Sequence, residues 1–108
     1  MTISIARDYS KTPGGRFKKE GSFSGEDFRE RVLLPAYNLA KEKDKILEVN
    51  LDGGYGYGSS FLEEAFGGLV RQIRSDDVIK RILIISNEEP RLIDDIKGYM
   101  EDALNEKA

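Results

Sequence analysis

Residues 46–73 read ILEVNLDGGYGYGSSFLEEAFGGLVRQI, and the order of residue types within them decides the fold. Ile46, Leu47, Val49 and Leu51 make a short apolar run that stops at Asp52. Gly53, Gly54, Gly56 and Gly58 follow, with Tyr55 and Tyr57 between them, and Ser59 and Ser60 then open a segment of helical period. Strand, glycine loop and helix N-terminus in that order present backbone N–H groups and a hydroxyl at the carboxyl edge of a sheet. A binding site is therefore expected at Asp52, Gly54, Tyr55, Gly56, Tyr57 and Gly58.

The helix after Ser60 is written in Phe61, Leu62, Ala65, Phe66, Leu69, Val70 and Ile73, a wide apolar stripe, with Glu63, Glu64, Arg71 and Gln72 off it. Gly67 and Gly68 weaken such a helix by about 1 kcal/mol each relative to alanine, so they predict close approach to a sheet beneath. Downstream, Ser75-Asp76-Asp77 reads as a turn. Residues 81–86 (RILIIS) read as a strand whose unbroken apolar run suits burial on both faces. A last helix follows Pro90, with Leu92, Ile93, Ile96, Tyr99, Met100, Ala103 and Leu104 on one face.

Upstream, Thr2–Ala6 (TISIA) alternates like a half-buried strand, and Pro13-Gly14-Gly15 predicts a turn. Residues 16–19 (RFKK) are read as an exposed edge strand in a hairpin with the first, which leaves Arg16 exposed. Ser24 is placed to cap a helix with Glu26 and Asp27 in its first turn, and Phe28, Val32, Ala36, Leu39 and Ala40 form its inner face. Pro35 interrupts the pattern and predicts a kink or a split. The sum is a single α/β domain over residues 1–108, with a mixed four-stranded sheet, a parallel centre and about three helices.

Composition narrows the chemistry. The chain has no histidine and no cysteine, which removes Ser–His triads, thiolate catalysis and histidine-ligated zinc. Seventeen basic against 20 acidic residues give a net charge of −3, the wrong sign for a nucleic-acid binder. No apolar run is long enough to span a membrane and no signal-peptide core is evident, so a cytoplasmic protein is expected. Without His or Cys a catalyst would rest on carboxylates, Lys or Tyr, and no such pair is clearly placed. No enzyme, cofactor or metal is expected.

Three segments carry a resemblance: Gly15-Arg16-Phe17, Ser24-Gly25-Glu26 with Phe28, and the run from Ser59 to Gly68 (SSFLEEAFGG). Together they resemble the STAS-like domains, the fold of sulfate transporters and anti-sigma-factor antagonists, and most closely the bacterial STAS-like family of unknown function. The resemblance implies a regulatory, protein-interaction domain whose partner is an ATPase-fold kinase. In the antagonists an Asp-Ser-Ser/Thr-Gly segment starts the corresponding helix, and its second hydroxyl is phosphorylated. That position falls on Ser60, beside Ser59, with Gly58 in place of the Asp and Phe61 in place of the Gly.

The residues themselves leave alternatives open. Ser60-Phe61-Leu62-Glu63 also has the form of a capping box, which gives Ser60 and Glu63 a purely structural use. The glycine run has neither dinucleotide nor P-loop spacing, yet it can serve a small-ligand or nucleotide module with Asp52 and Arg16 as polar contacts. Asp52 is otherwise expected to cap its turn. Tyr55 and Tyr57 are either packed over the sheet edge or offered to a partner.

Overall fold

The computed structural model of the chain describes residues 1–106. Strand β1 (Thr2–Ser4) runs straight into a short helix α1 (Ile5–Asp8), because the Ser4 hydroxyl accepts the Arg7 N–H and caps it. Residues 25–42 form one helical rod: α2 (Gly25–Phe28), a π turn (Arg29–Leu33) and α3 (Leu34–Glu42). Strand β2 (Leu47–Asn50) leads through the glycine loop to a second rod, α4 (Ser59–Leu62), a π turn (Glu63–Gly67) and α5 (Gly68–Ile73). Helix α6 (Asp77–Arg81), strand β3 (Ile82–Ile85) and helix α7 (Arg91–Asn105) complete the order.

Among the described residues the sheet has three strands in the order β1-β2-β3, all parallel, with Ile3 opposite Val49 and Val49 opposite Ile84. The expected parallel pairing of the two later strands is present. The expected fourth strand and the mixed sheet are not. Residues 16–19 make no ladder with β1, because their backbone is committed elsewhere. The Gly25 N–H donates to the Gly15 carbonyl at 2.9 Å and the Glu26 N–H to the Arg16 carbonyl at 3.0 Å. This segment therefore satisfies the open N–H groups that begin α2, and residues Lys18–Glu20 close a 3₁₀ turn instead of a strand.

The core lies on one face of the sheet. Leu47, Val49, Ile82 and Ile84 point into it and meet Phe28, Leu33, Tyr37, Phe61, Phe66, Leu69, Ile96 and Met100 from the three longer helical segments. Ser24 caps α2 as expected, accepting the Asp27 N–H at 3.0 Å. Pro35 neither splits nor ends its helix. The π turn lies immediately before it, and Leu33 and Leu34 keep right-handed helical angles across the gap its missing N–H leaves. Helix α6 is not expected from the sequence: it begins at Asp77, the end of the expected turn, and takes up Arg81, the expected first residue of the last strand. Its Asp77 binds Arg81 and accepts the Tyr37 hydroxyl at 2.6 Å.

Candidate functional site

Parallel neighbours deliver their following loops to one edge. The loop after β2 and the loop after β3 are therefore side by side, and Asp52 joins them. Its carboxylate accepts the Asn87 N–H at 2.9 Å, the Glu88 N–H at 3.0 Å and the Asn87 side-chain amide at 3.0 Å. In return the Gly53 N–H donates to the Glu88 carboxylate at 2.6 Å. Asp52 thus caps, but it caps the turn after β3 and not its own. Neither Asn87 nor Glu88 belongs to the expected site. The signal for them is topological: with β2 and β3 adjacent and parallel, polar residues just after Ser86 must fall beside Asp52.

The loop between Asp52 and Ser59 is held at several points. The Tyr55 N–H donates to the Lys11 carbonyl at 2.8 Å. Gly53 and Gly56 have φ of 94° and 141°, conformations that a side chain would strain. The two tyrosines part company. Tyr57 packs on the Phe61 ring at 6.2 Å between centroids, and its hydroxyl donates to the Leu51 carbonyl at 2.6 Å. Burial, then the charges of Asp52 and Glu88, push its pKa up to about 12, so it remains a neutral donor. Tyr55 is 82% exposed. Between the loops lies a cavity of about 190 Å³ whose polar wall is Asp52, Ser86, Glu88 and Glu89.

Ser59 and Ser60 are exposed at the start of α4. Gly58 stands at the cap position, in extended conformation, with no side-chain bond to the first turn. The expected capping box at Ser60 is therefore absent: Ser60 lies inside the helix, and Glu63 turns away from it. Glu63 accepts from Arg16 at 2.5 Å and Arg71 at 2.7 Å, and the Arg71 bond leads in holding its carboxyl below the usual carboxylate range. Glu64 takes Arg29 at 2.5 Å, with both side chains largely buried, and lies 3.5 Å from Arg16. Three arginines thus surround two glutamates, and Arg71 also reaches Glu106 at 3.5 Å.

That cluster redefines two expected features. Arg16 is not an exposed hairpin arginine; it is docked on the second helical rod. Gly67 and Gly68 do not bring that rod to the sheet. A Cβ on Gly68 would collide with an Arg29 guanidinium nitrogen, and one on Gly67 would lie 2.5 Å from the Glu63 carboxylate. They make room for the ion pairs. Gly25 serves close approach more directly, since a Cβ there would run into the Phe61 carbonyl oxygen. The two π turns face each other here, one carrying Arg29 and the other Glu64.

The described residues hold no group of three or more acidic side chains arranged to bind a metal ion, and none of their helices is long and apolar enough to cross a membrane. The segments Gly15–Phe17 and Ser24–Phe28 and the distant Ser59–Gly68 form one contiguous unit: a loop, a helix start and a helix locked by backbone bonds, arginines and a glycine contact. No curated protein and no solved structure matches the chain. Residues 24–92, which include the helix start, the glycine loop and the ion-paired helix, match the family described as STAS-like domain of unknown function (DUF4325), and the chain belongs to that family.

Proposed function

We propose that the chain is a non-enzymatic regulatory domain that binds a protein partner, an ATPase-fold kinase in the first instance, through the glycine loop and the start of α4. One observation carries this reading. The polar groups able to do chemistry are used internally, whereas Tyr55, Ser59 and Ser60 stand outside on an anchored frame. Asp52 is saturated by three donors, Arg16 is held by Glu63, and the Tyr57 hydroxyl is given to Leu51. An exposed tyrosine on a tethered loop offers a large contact area at low entropic cost, which suits a protein interface.

Ser60, with Ser59 beside it, is the modification site in this reading. A phosphate there would meet the unbonded N–H groups and positive end of the helix. The nearby carboxylates, which would otherwise repel it, are each paired with arginine. Affinity capture from native cell extract, with and without ATP, followed by mass spectrometry of proteins and phosphosites, tests the proposal. A kinase-fold partner lost on Tyr55→Ser, and phosphate on Ser60, support it. Capture unchanged by Tyr55→Ser, with both serines unmodified, counts against it.

The cavity of about 190 Å³ supports a second reading, a small-ligand module. Its volume is below the roughly 300–1,000 Å³ of ordinary ligand pockets. Asp52, Glu88 and Glu89 would oppose the phosphates of a nucleotide, so a small cation is the better fit. Calorimetric titration of the isolated chain with ATP and with a short diamine separates the two readings. Heat of binding that disappears in Glu88→Gln favours the ligand module.

A further inference from the structure

We propose that the outer edge of β3 accepts an extended segment of a partner protein as an added strand, one that alternates apolar residues and carries acidic side chains. The first support is a mismatch between sequence and position. Ile82-Leu83-Ile84-Ile85 is the unbroken apolar run of a strand buried on both faces, yet β3 ends the sheet and Leu83 is 51% exposed. Nothing within it protects an edge: the strand has no charge and no proline.

The second support is the shape beside it. A groove of about 440 Å³ is lined by Ile82, Leu83 and Ile84 together. Successive strand side chains point to opposite faces, so a groove that touches three in a row must run along the strand's edge, next to its backbone. The Leu51 N–H donates to the Ile85 carbonyl, which turns the Ile85 backbone toward β2. Alternation then turns the N–H and carbonyl of Ile84 outward, into the groove. An added strand would bond there, with alternate side chains set between Ile93 and Met100 on the helix side and beside Leu83 and Ile46 on the open face.

Charge selects the occupant. Lys80 and Lys97 flank the groove and no carboxylate lines it. Lys97 makes no ion pair among the described residues, and the Lys80–Asp76 pair at 3.1 Å is too exposed to hold the lysine back. A second copy of this chain, paired β3 to β3, would bring the same two lysines to the same groove. An acidic strand satisfies them.

Selection of a random nonapeptide phage library on the folded chain tests this whatever the partner's identity. Enriched peptides should alternate β-branched or aromatic residues and carry Asp or Glu. A synthetic copy should shift the amide resonances of Ile82, Leu83 and Ile84. Its affinity should fall at least tenfold in Lys97→Glu and in Leu83→Lys, both at surface positions where the fold is kept and checked by circular dichroism. The proposal is overturned by a selection that enriches nothing, by peptides that lack acidic residues and bind Lys97→Glu equally well, or by shifts confined to other surfaces. Sedimentation showing a dimer that Leu83→Lys dissociates would assign the edge to a second copy and overturn it as well.

Discussion

Glycine does two different jobs in this domain, one where its helices pack and one in the loop after β2. In the packed region, Gly25, Gly67 and Gly68 are buried, and each is small because a specific neighbour occupies the space a Cβ would take. In the loop, Gly53 and Gly56 have positive φ, and beside Gly56 and Gly58 there is only open space. The first set fixes distances between helices. The second sets the path of a backbone that displays Tyr55. The segments that carry the family resemblance sit largely in the packed set, whereas the proposed binding surface lies in the loop. If this division is right, substitutions in the packed region should cost stability, and substitutions in the loop should cost binding alone.

The largest effect should come from the buried ion pair. Glu64→Ala leaves the Arg29 guanidinium without its carboxylate in a largely buried site and should cost about 3–5 kcal/mol, read as a fall in urea midpoint. A loss under about 1 kcal/mol would mean that Arg29 reaches water or another partner, and the contrast between regions would weaken. Next is Gly25→Ala, where a backbone carbonyl and not a flexible side chain must yield. An overpacking cost of about 1–3 kcal/mol is expected, at the upper end because the contact joins two helices.

Acid should cost stability at Asp77, on the helix that packs against Tyr37. The Arg81 and Tyr37 hydrogen bonds hold the Asp77 carboxyl down to about 2. A carboxyl depressed in the folded state stabilises the fold above its unfolded pKa, and that contribution is lost as pH falls from about 4 through about 2. Asp77→Asn should therefore flatten this limb of the stability–pH curve, measured by denaturation at successive pH values. A curve parallel to the parent's would show that the bonds to Tyr37 and Arg81 do not distinguish the charged from the neutral carboxyl.

What could be read from the sequence follows the range of the forces involved. The apolar stripe of the helix after Ser60, the Ser24 cap and the parallel pairing of β2 with β3 are in the structure, but the first helix buries Leu33 and Tyr37 and leaves Leu39 exposed, because the π turn at Arg29–Leu33 shifts its inner face, and Ile93 of the last helix is exposed as well. Arg16 was legible as an exposed edge residue or as a polar contact beside Asp52 and not as an ion-paired one, because its partner Glu63 lies 47 positions away and local pattern carries no trace of that bond. The missing fourth strand has the same cause: the carbonyls of Gly15 and Arg16 serve a helix start and not a ladder. At Ser60 a local motif misled. S-x-x-E predicts a box, but helix geometry already begins at Ser59 and two arginines hold Glu63 elsewhere. At the site, Tyr55 and Tyr57 look alike in sequence and differ entirely in burial. Their division depends on which one can reach Phe61 and the Leu51 carbonyl.

The two tyrosines give a test inside the loop itself. Tyr57→Phe strands the Leu51 carbonyl and should cost about 1–2 kcal/mol, whereas Tyr55→Ser should stay within about 0.5 kcal/mol of the parent. Partner capture should respond in the opposite order. Equal stability losses at both positions would show that the loop is packed as a unit, and would erase the distinction between the two rings.

The smallest expected effect on stability is at Ser60, and its smallness is what makes it informative. With Gly58 at the cap position, the Ser60 hydroxyl closes no helix end, so Ser60→Ala should lie within about 0.5 kcal/mol of the parent. Ser60→Asp places a negative charge in the first turn, where the helix dipole favours it by roughly 0.3–1 kcal/mol, so it too should fold normally. Any change in partner binding by either variant then cannot be attributed to unfolding. If Ser60 is a modification site, Asp should alter capture and Ala should abolish the effect of ATP, both at parental stability. A destabilisation of about 1 kcal/mol or more in Ser60→Ala would instead restore the capping role that the geometry of Gly58 removes. Parental capture by both variants, with no phosphate on Ser59 or Ser60 from cells, would leave Tyr55 as the functional element of the loop and reduce the two serines to solvent-facing helix residues.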